Sequence, residues 1–242
     1  MDLIQTQFQD RLKEKGIHLT EYQLDQFETY FKVLVEWNEK MNLTGITERE
    51  QVYTKHFYDS LSVSFFTTLQ DKRSLADIGS GAGFPSIPLK IAFPQLQITI
   101  IDSLNKRIQF LNHLKSELKL TDVSCIHGRA EDIARQKEHR DHYDMVTARA
   151  VARLAVLNEF CLPFVKIQGQ FIAMKGSEVE GELTEAAFSL KELKGKYLHT
   201  HRLELPDEEA SKRHLIVIEK TAATPAKYPR KAGTPLKMPL VR

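Results

Sequence analysis

The segment from residue 74 to residue 103 holds the residue types that a site for a nucleoside cofactor requires. Gly79, Gly81 and Gly83 alternate with small residues directly after a short apolar run, and Asp102 ends the next apolar run. Glycine permits tight turns with positive φ and lets a ligand approach the backbone closely. A carboxylate about twenty residues past the first glycine is placed to accept hydrogen bonds from ribose hydroxyls. The spacing therefore predicts a strand, a glycine-rich turn, a helix and a second strand around such a cofactor.

Two classes of cofactor use a turn of this kind, and the order of the glycines separates them. A dinucleotide site has the pattern G-x-G-x-x-G, with its pyrophosphate at the helix N-terminus. Here the third glycine comes one position too early, and Phe84 and Pro85 crowd the place of the pyrophosphate. The pattern D-x-G-x-G-x-G, typical of S-adenosylmethionine sites, fits residues 77–83 without adjustment. The spacing favours S-adenosylmethionine, with dinucleotide binding as the alternative.

The elements that position these residues alternate between strand and helix character from about residue 72 onward. This alternation predicts an α/β fold with a doubly wound, mainly parallel sheet, in which ligands lie at the carboxyl ends of the strands. We expect Asp102 to bind the ribose, Ala130 and Glu131 to flank the adenine, and Arg149 to lie where methyl group and acceptor meet. For the charged residues, helix capping or surface ion pairing is the alternative.

The two ends of the chain differ from this central part. Residues 1–70 show helical periodicity without strand signals, with capping boxes predicted at Thr20 and Thr47. We expect a small helical extension packed against the sheet, with direct substrate contact as the alternative. Residues 221–242 contain basic residues and prolines but no acid, which predicts an extended, non-helical tail. The predicted division is 1–70, 71–220 and 221–242.

Composition excludes few classes of protein. The chain has 242 residues, of which 42% are hydrophobic, and 34 basic against 32 acidic residues give a net charge of only +2. An anionic partner would therefore have to meet a local basic patch. Cys125 and Cys161 lie in apolar settings without the spacing of a zinc site, so we expect free thiols and no metal. We find neither a signal peptide nor a membrane-length apolar run, and we expect a cytoplasmic protein.

Several separated segments, in the right order, resemble those of one known family. They are WNEKMNLTGIT, HFYDSL, LADIGSGAGFPSIPLKIAFP, IDSLNKRIQFLNHL, GRAED, DMVTARAVA and YPRKAGTPLKMPL. The chain resembles the family of ribosomal RNA small subunit methyltransferase G, formerly glucose-inhibited division protein B. The resemblance implies a class I S-adenosylmethionine-dependent methyltransferase with a Rossmann-like, seven-stranded, mostly parallel sheet, an antiparallel closing strand and an N-terminal helical extension. It also implies that the cofactor contacts include Gly79, Phe84, Ala130, Glu131 and Arg149.

Enzymes of this family methylate N7 of one guanine in 16S rRNA, guanosine 527 near the decoding centre. The resemblance implies a partner that is 16S rRNA, the 30S subunit or an assembly intermediate of it, and we expect a monomeric enzyme. Three alternatives remain. The chain could methylate another RNA, it could methylate a protein or a small molecule, or it could be a non-catalytic ribosome-assembly factor.

Guanine N7 carries an unprotonated lone pair, so its methylation needs alignment rather than a general base. The sequence shows no His/Asp or Cys/His catalytic arrangement, which agrees with this chemistry. We expect Arg149 and Arg153 to hold a phosphate or the methionine carboxylate. RNA binding requires a basic face, with an aromatic ring available to stack on a base. The candidates are Lys175, Lys212, Arg213, Lys227, Tyr228, Arg230 and Lys231.

Overall fold

The computed structural model describes residues 2–69, 71, 73–176 and 179–241. Its α-helices are α1 (Leu3–Lys13), α2 (Glu21–Asn38), α3 (Arg49–Gln51), α4 (Asp59–Leu61), α5 (Val63–Phe66), α6 (Ser86–Ala92), α7 (Asn105–Glu117), α8 (Ala130–Ile133), α9 (Leu154–Cys161), α10 (Glu180–Glu192) and α11 (Thr234–Lys237). A π-helix (Val52–Tyr58) joins α3 to α4, and a 3-10 turn (Leu162–Phe164) follows α9. The strands are β1 (Ser74–Ile78), β2 (Gln97–Asp102), β3 (Val123–His127), β4 (Tyr143–Arg149), β5 (Val165–Lys175), β6 (Gly195–Glu204) and β7 (Lys212–Lys220).

The strands form one seven-stranded sheet in the order β3-β2-β1-β4-β5-β7-β6. Every neighbouring pair from β3 to β5 is parallel, whereas β7 runs antiparallel to both β5 and β6. This confirms the predicted fold class with its antiparallel closing strand. The strand order reverses between β1 and β4, which places a crevice at the carboxyl ends of these strands, where α/β sheets bind their ligands.

Side-chain caps define the starts of the first three helices, α1 to α3. The capping box predicted at Thr20 is confirmed, because the Thr20 hydroxyl accepts from the Gln23 N–H and the Gln23 side chain accepts from the Thr20 N–H. The box predicted at Thr47 is wrong. Glu48 caps α3 instead, since its carboxylate accepts from the Gln51 N–H at 2.9 Å. The chain then winds into the π-helix, which periodicity alone does not indicate.

Apolar side chains form a core on each face of the sheet. On one face the N-terminal helices share a core with α6 and α7, and Phe27, Tyr30 and Leu34 are fully buried in it. On the other face α9 and α10 pack with the C-terminal segment, which contributes Tyr228 and Leu240. Both ends of the chain are therefore built into the cores that position the site.

The prediction of an extended, non-helical tail is wrong. The tail turns at Gly233 into the short helix α11 and packs against α9. Its anchor is Glu159, a carboxylate only 1% exposed, which accepts hydrogen bonds from the Arg230 N–H at 2.7 Å and from the Arg230 Nη2 at 2.6 Å. The composition of the tail suggests that it forms no regular structure by itself, but it cannot reveal that Glu159 binds Arg230. Among the described residues, no helix is long and apolar enough to cross a membrane.

Breaking the Arg230–Glu159 pair should destabilise the fold. Arg230→Ala leaves a buried carboxylate without its cation, so we expect the free energy of unfolding to fall by about 3 kcal/mol in urea titrations. Lys227→Ala is the matched control in the same tail, because its ion pair with Glu192 is solvent-exposed and should change stability far less. Equal losses in the two variants would show that Glu159 does not depend on Arg230.

Candidate cofactor and acceptor site

The glycine-rich turn after β1 adopts the backbone geometry that its sequence predicts. Gly79, Gly81 and Gly83 have φ values of +73°, +62° and +97°. A Cβ at Gly83 would lie 2.8 Å from both the Tyr30 hydroxyl and an Ile87 carbon, so this position has neither the conformation nor the space for a side chain.

The N-terminal helices hold this turn in place. The Tyr30 hydroxyl on α2 donates to the Ala82 carbonyl in the middle of the turn. The Tyr30 ring stacks on Phe84 with 5.3 Å between ring centroids, and His56 stacks on Phe84 with 4.6 Å between centroids. The extension is therefore part of the framework of the site.

The predicted ribose residue faces the glycine turn. Asp102, at the end of β2, is 2% exposed, and its Oδ2 accepts from the Gly81 N–H at 3.1 Å. A cavity of about 130 Å³ runs from Gly79 to Ala130 and Glu131 along the carboxyl ends of β1, β2 and β3. The carboxylate, the open glycine backbone and this cavity together fit the ribose and adenine of S-adenosylmethionine. We name this space the adenosine cavity.

A second cavity of about 330 Å³ lies at the carboxyl ends of β4 and β5 and carries most of the charge of the site. We name it the acceptor cavity. Its lining includes the side chains of Lys55, His56, Asp59, Arg149, Lys175 and Arg213. Arg149 lines this cavity, with its guanidinium carbon 4.8 Å from the centroid of Phe84.

Asp59 is the electrostatic centre of the acceptor cavity. Its carboxylate is buried, accepts from Arg149 Nη1 at 3.0 Å, and lies 3.2 Å from Arg213 Nε. Two guanidinium groups thus compensate one buried negative charge, which leaves the cavity with a net positive character. A buried carboxylate held in this way fixes the direction of both arginines.

His56 is held as a neutral ring in the same cavity. Burial, reinforced by the positive charge of Arg149, lowers the pKa of His56 to about 3. The Thr44 hydroxyl lies 2.8 Å from its Nε2. At neutral pH His56 therefore acts as a flat aromatic surface, and it is a very weak base.

Asp77, the acid that opens the glycine pattern, lies beneath the turn. It is fully buried, and its Oδ2 accepts from the Ser86 N–H at 3.2 Å. Burial raises the pKa of Asp77 to about 6, although hydrogen bonds from Ser86 and Ser80 and the charge of Arg149 oppose the increase. Its charge is therefore sensitive to mildly acidic pH.

The other predicted site residues fall into two groups. Lys175 and Arg213 line the acceptor cavity, while Lys212 and Lys231 are exposed. Arg153, predicted as a positioning residue, is exposed, pairs with Glu185 at 2.7 Å and is not among the residues that line the two cavities.

Three predicted RNA contacts in the tail already have partners within the protein. Tyr228 is 5% exposed and donates to Glu192, so its ring is not available to stack on a base. Arg230 is committed to Glu159, and Lys227 is exposed but pairs with Glu192.

Sequence reasoning missed the roles of Tyr30, His56 and Asp59. Helical periodicity places Tyr30 and His56 within amphipathic helices and says nothing more of them. The sequence signal for Asp59 is its place in a run, residues 57–63, that holds no other charged residue. In the structure this whole run is buried. A charge at such a position requires a partner, and here it has two.

Comparisons with known proteins agree with this geometry. A family model described as rRNA small subunit methyltransferase G matches residues 23–216. The chain is 59% identical over 232 residues to ribosomal RNA small subunit methyltransferase G of Staphylococcus aureus strain Newman, covering 96% of each chain.

Solved structures show the same fold at low identity. A mutant of MtNAS in complex with S-adenosylmethionine aligns with a TM-score of 0.55 at 12% identity, over 81% of this chain and 72% of that one. M. jannaschii TYW2 in complex with AdoMet aligns with a TM-score of 0.51 at 16% identity, over 68% of this chain and 74% of that one.

The contact between Gly83 and Tyr30 can be tested by stability measurements. Gly81→Ala places a side chain at positive φ in open space and should cost about 1 kcal/mol. Gly83→Ala adds the clash with Tyr30 and Ile87 and should cost about 2 kcal/mol more. Gly83→Ala should cost less in a Tyr30→Phe background than in the wild type, and an equal cost in both backgrounds would mean that the Tyr30 hydroxyl is not the obstacle.

The raised pKa of Asp77 predicts an unusual pH dependence of stability. Between about pH 4 and pH 6 the folded protein binds more protons at Asp77 than the unfolded chain does, so this residue lowers the free energy of unfolding as pH rises, by about 3 kcal/mol in total. Asp77→Asn should remove this decrease in urea titrations across that pH range.

Asp144→Asn is the control of opposite sign. Burial alone would raise the pKa of Asp144, but hydrogen bonds from Lys166 and from residues 73 and 74 hold it below its ordinary value. Asp144 therefore stabilises the fold at neutral pH and loses that contribution as pH falls. If Asp77→Asn leaves the pH profile unchanged, Asp77 is not protonated in this range.

Proposed function

The chain belongs to the rRNA small subunit methyltransferase G family, and we propose that it transfers a methyl group from S-adenosylmethionine to N7 of a guanine in 16S rRNA. The family assigns the coarser function, a methyltransferase of small-subunit rRNA. The finer target, guanosine 527 near the decoding centre, is part of the proposal. So are a monomeric enzyme and a substrate that is free rRNA, the 30S subunit or an assembly intermediate.

One observation carries the choice of N7: the acceptor cavity offers no free base among the described residues that line it. Asp59 is neutralised by two arginines, and His56 has a pKa of about 3. Methylation of an exocyclic amine or a ribose hydroxyl requires removal of a proton, whereas N7 already presents a lone pair. A cavity that aligns but does not deprotonate therefore supports an N7 acceptor.

Some residues of the site bind the cofactor, and others align the reacting groups. S-adenosylmethionine, when bound, supplies an electrophilic methyl group on a positively charged sulfur. We assign Asp102 to the ribose, Ala130 and Glu131 to the adenine, and Gly79 and Gly81 to close backbone contact with the cofactor. Phe84 and His56 offer a stacked apolar floor that excludes water beside the place of transfer.

Arg149 is assigned to a phosphate or the methionine carboxylate rather than to N7. As N7 is methylated, positive charge develops on the guanine ring, and a guanidinium beside N7 would oppose this. Asp59 holds Arg149 in a fixed direction at the edge of the cavity, which allows it to bind an anion without reaching the ring.

A wide depression next to the acceptor cavity offers a path for the RNA backbone. It has a volume of about 690 Å³, and Lys212 and Arg213 contribute basic side chains to it, whereas Arg202 pairs with Glu180 in its lining. Arg213 lines both this depression and the acceptor cavity. Phosphates bound along the depression would bring a flipped-out base into the acceptor cavity.

The proposal is tested by methyl transfer to 30S particles and to free 16S rRNA from a strain that lacks the enzyme, followed by mapping of the modified nucleotide. We expect one N7-methylguanine, at position 527. Arg149→Ala should reduce turnover by about 100-fold, because misalignment of the reacting atoms has an effect of this order. Arg153→Ala is the matched control and should retain turnover, since Arg153 pairs with Glu185 on the surface.

Other outcomes identify the rival functions. Methylation at another atom or in another RNA would contradict the N7 assignment while keeping the enzyme class. Tight binding of S-adenosylmethionine without transfer to any RNA would favour an assembly factor. Equal turnover of the two arginine variants would remove Arg149 from the alignment machinery.

A further inference from the structure

We propose that the C-terminal tail forms one wall of the adenosine cavity, so that cofactor binding and anchoring of the tail stabilise each other. The proposal deepens the cofactor assignment and rests on it. It gives residues 228–240 a role at the cofactor, in place of the RNA contact that their positive charge suggested.

The tail is fixed on both sides of the segment that reaches the cavity. Before it, Tyr228 is buried, and Arg140 donates to the Tyr228 carbonyl at 2.9 Å. Arg230 is held by Glu159 on α9. After it, Leu240 is 8% exposed in the same core. The intervening turn and α11 therefore have a defined place over the adenosine cavity.

Within this segment, Gly233 contacts one of the predicted adenine residues directly. The Gly233 N–H donates to Glu131 Oε1 at 2.8 Å, and the Glu131 side chain is almost completely buried. Glu131 thus connects the tail to the cavity through a charge-assisted hydrogen bond. A ligand that binds Glu131 in this position therefore also favours the docked position of Gly233.

Leu236 supplies the apolar part of the wall. It lines the adenosine cavity together with Ala130 and Phe160, and yet it remains 51% exposed. A half-exposed leucine beside two apolar residues at the mouth of a cavity gains burial when a flat apolar ring enters it. The adenine ring is the flat group that the neighbouring assignments place there.

The geometry implies reciprocal coupling. A ligand that binds only the docked tail increases the population of the docked state, and loss of docking weakens the ligand by the same factor. S-adenosylhomocysteine carries the same adenosine and is chemically stable during the measurements, so it is a suitable probe.

The first test measures the Kd of S-adenosylhomocysteine by titration calorimetry on the full chain. We expect Leu236→Ala to raise the Kd about tenfold, as loss of a contact the size of a partly buried leucine would. Met238→Ala is the matched control, because Met238 lies two residues further along, is 67% exposed and lines neither cavity. Its Kd should stay within about twofold of the wild type.

The second test measures trypsin cleavage after Lys231 and Lys237, which are exposed on the tail. Saturating S-adenosylhomocysteine should slow cleavage at both sites in the wild type and slow it less in Leu236→Ala. Urea unfolding of both variants, measured alongside, separates a local effect from loss of the fold.

The outcomes distinguish failure of this proposal from failure of the proposed function. If the wild type binds neither S-adenosylmethionine nor its demethylated product, the cofactor assignment itself fails. If the wild type binds but Leu236→Ala binds equally well and the ligand gives no protection, the tail is not a wall of the cavity. If Leu236→Ala weakens rRNA binding and leaves the Kd of S-adenosylhomocysteine unchanged, the tail is an RNA contact and the proposal is overturned.

Discussion

The hydrogen bond from the Tyr30 hydroxyl to the Ala82 carbonyl connects the N-terminal helices to the glycine turn on which the site depends. Three alternating glycines at positive φ form a backbone that is costly to order, because glycine loses more conformational freedom on folding than any other residue. Tyr30 offsets part of that cost by fixing the turn from outside the sheet. Its buried ring then stacks on Phe84, and Phe84 in turn stacks on His56, which lines the acceptor cavity.

The acceptor cavity depends on a second contribution from the N-terminal helices. Arg149 comes from the end of β4, and Arg213 from the antiparallel strand β7, but the carboxylate that holds both comes from α4. Without Asp59, two guanidinium groups would face each other in a space of low dielectric. The helical extension therefore supplies the negative charge that allows Arg149 and Arg213 to lie close together at the strand ends. The adenosine cavity needs no such compensating charge from the extension.

The sequence is most informative where a local rule decides the structure. Strands β1 and β2 are short and mainly apolar, the glycine pattern requires positive φ, and Asp102 ends a strand, so fold class and cofactor follow from spacing. Contacts between distant segments carry no such signal. Asp59 meets Arg149 across 90 residues, and Gly233 meets Glu131 across 102. The prediction of an extended tail fails for this reason. Its prolines and positive charges are properties of the segment itself and do not reveal the surface of the protein against which it packs.

The positions of the N-terminal helices and the C-terminal tail explain why one sheet can hold two different cavities side by side. The carboxyl ends of β1, β2 and β3 are covered from the side of α9 by the tail, which brings apolar surface and a backbone N–H. The carboxyl ends of β4 and β5 are covered by the N-terminal helices, which bring Lys55, His56 and Asp59. An uncharged adenosine fits the first covering, and a phosphate-bearing acceptor fits the second. The proposed function places the transferred methyl group where the two coverings meet, since the glycine turn after β1 lies between the two sets of strand ends.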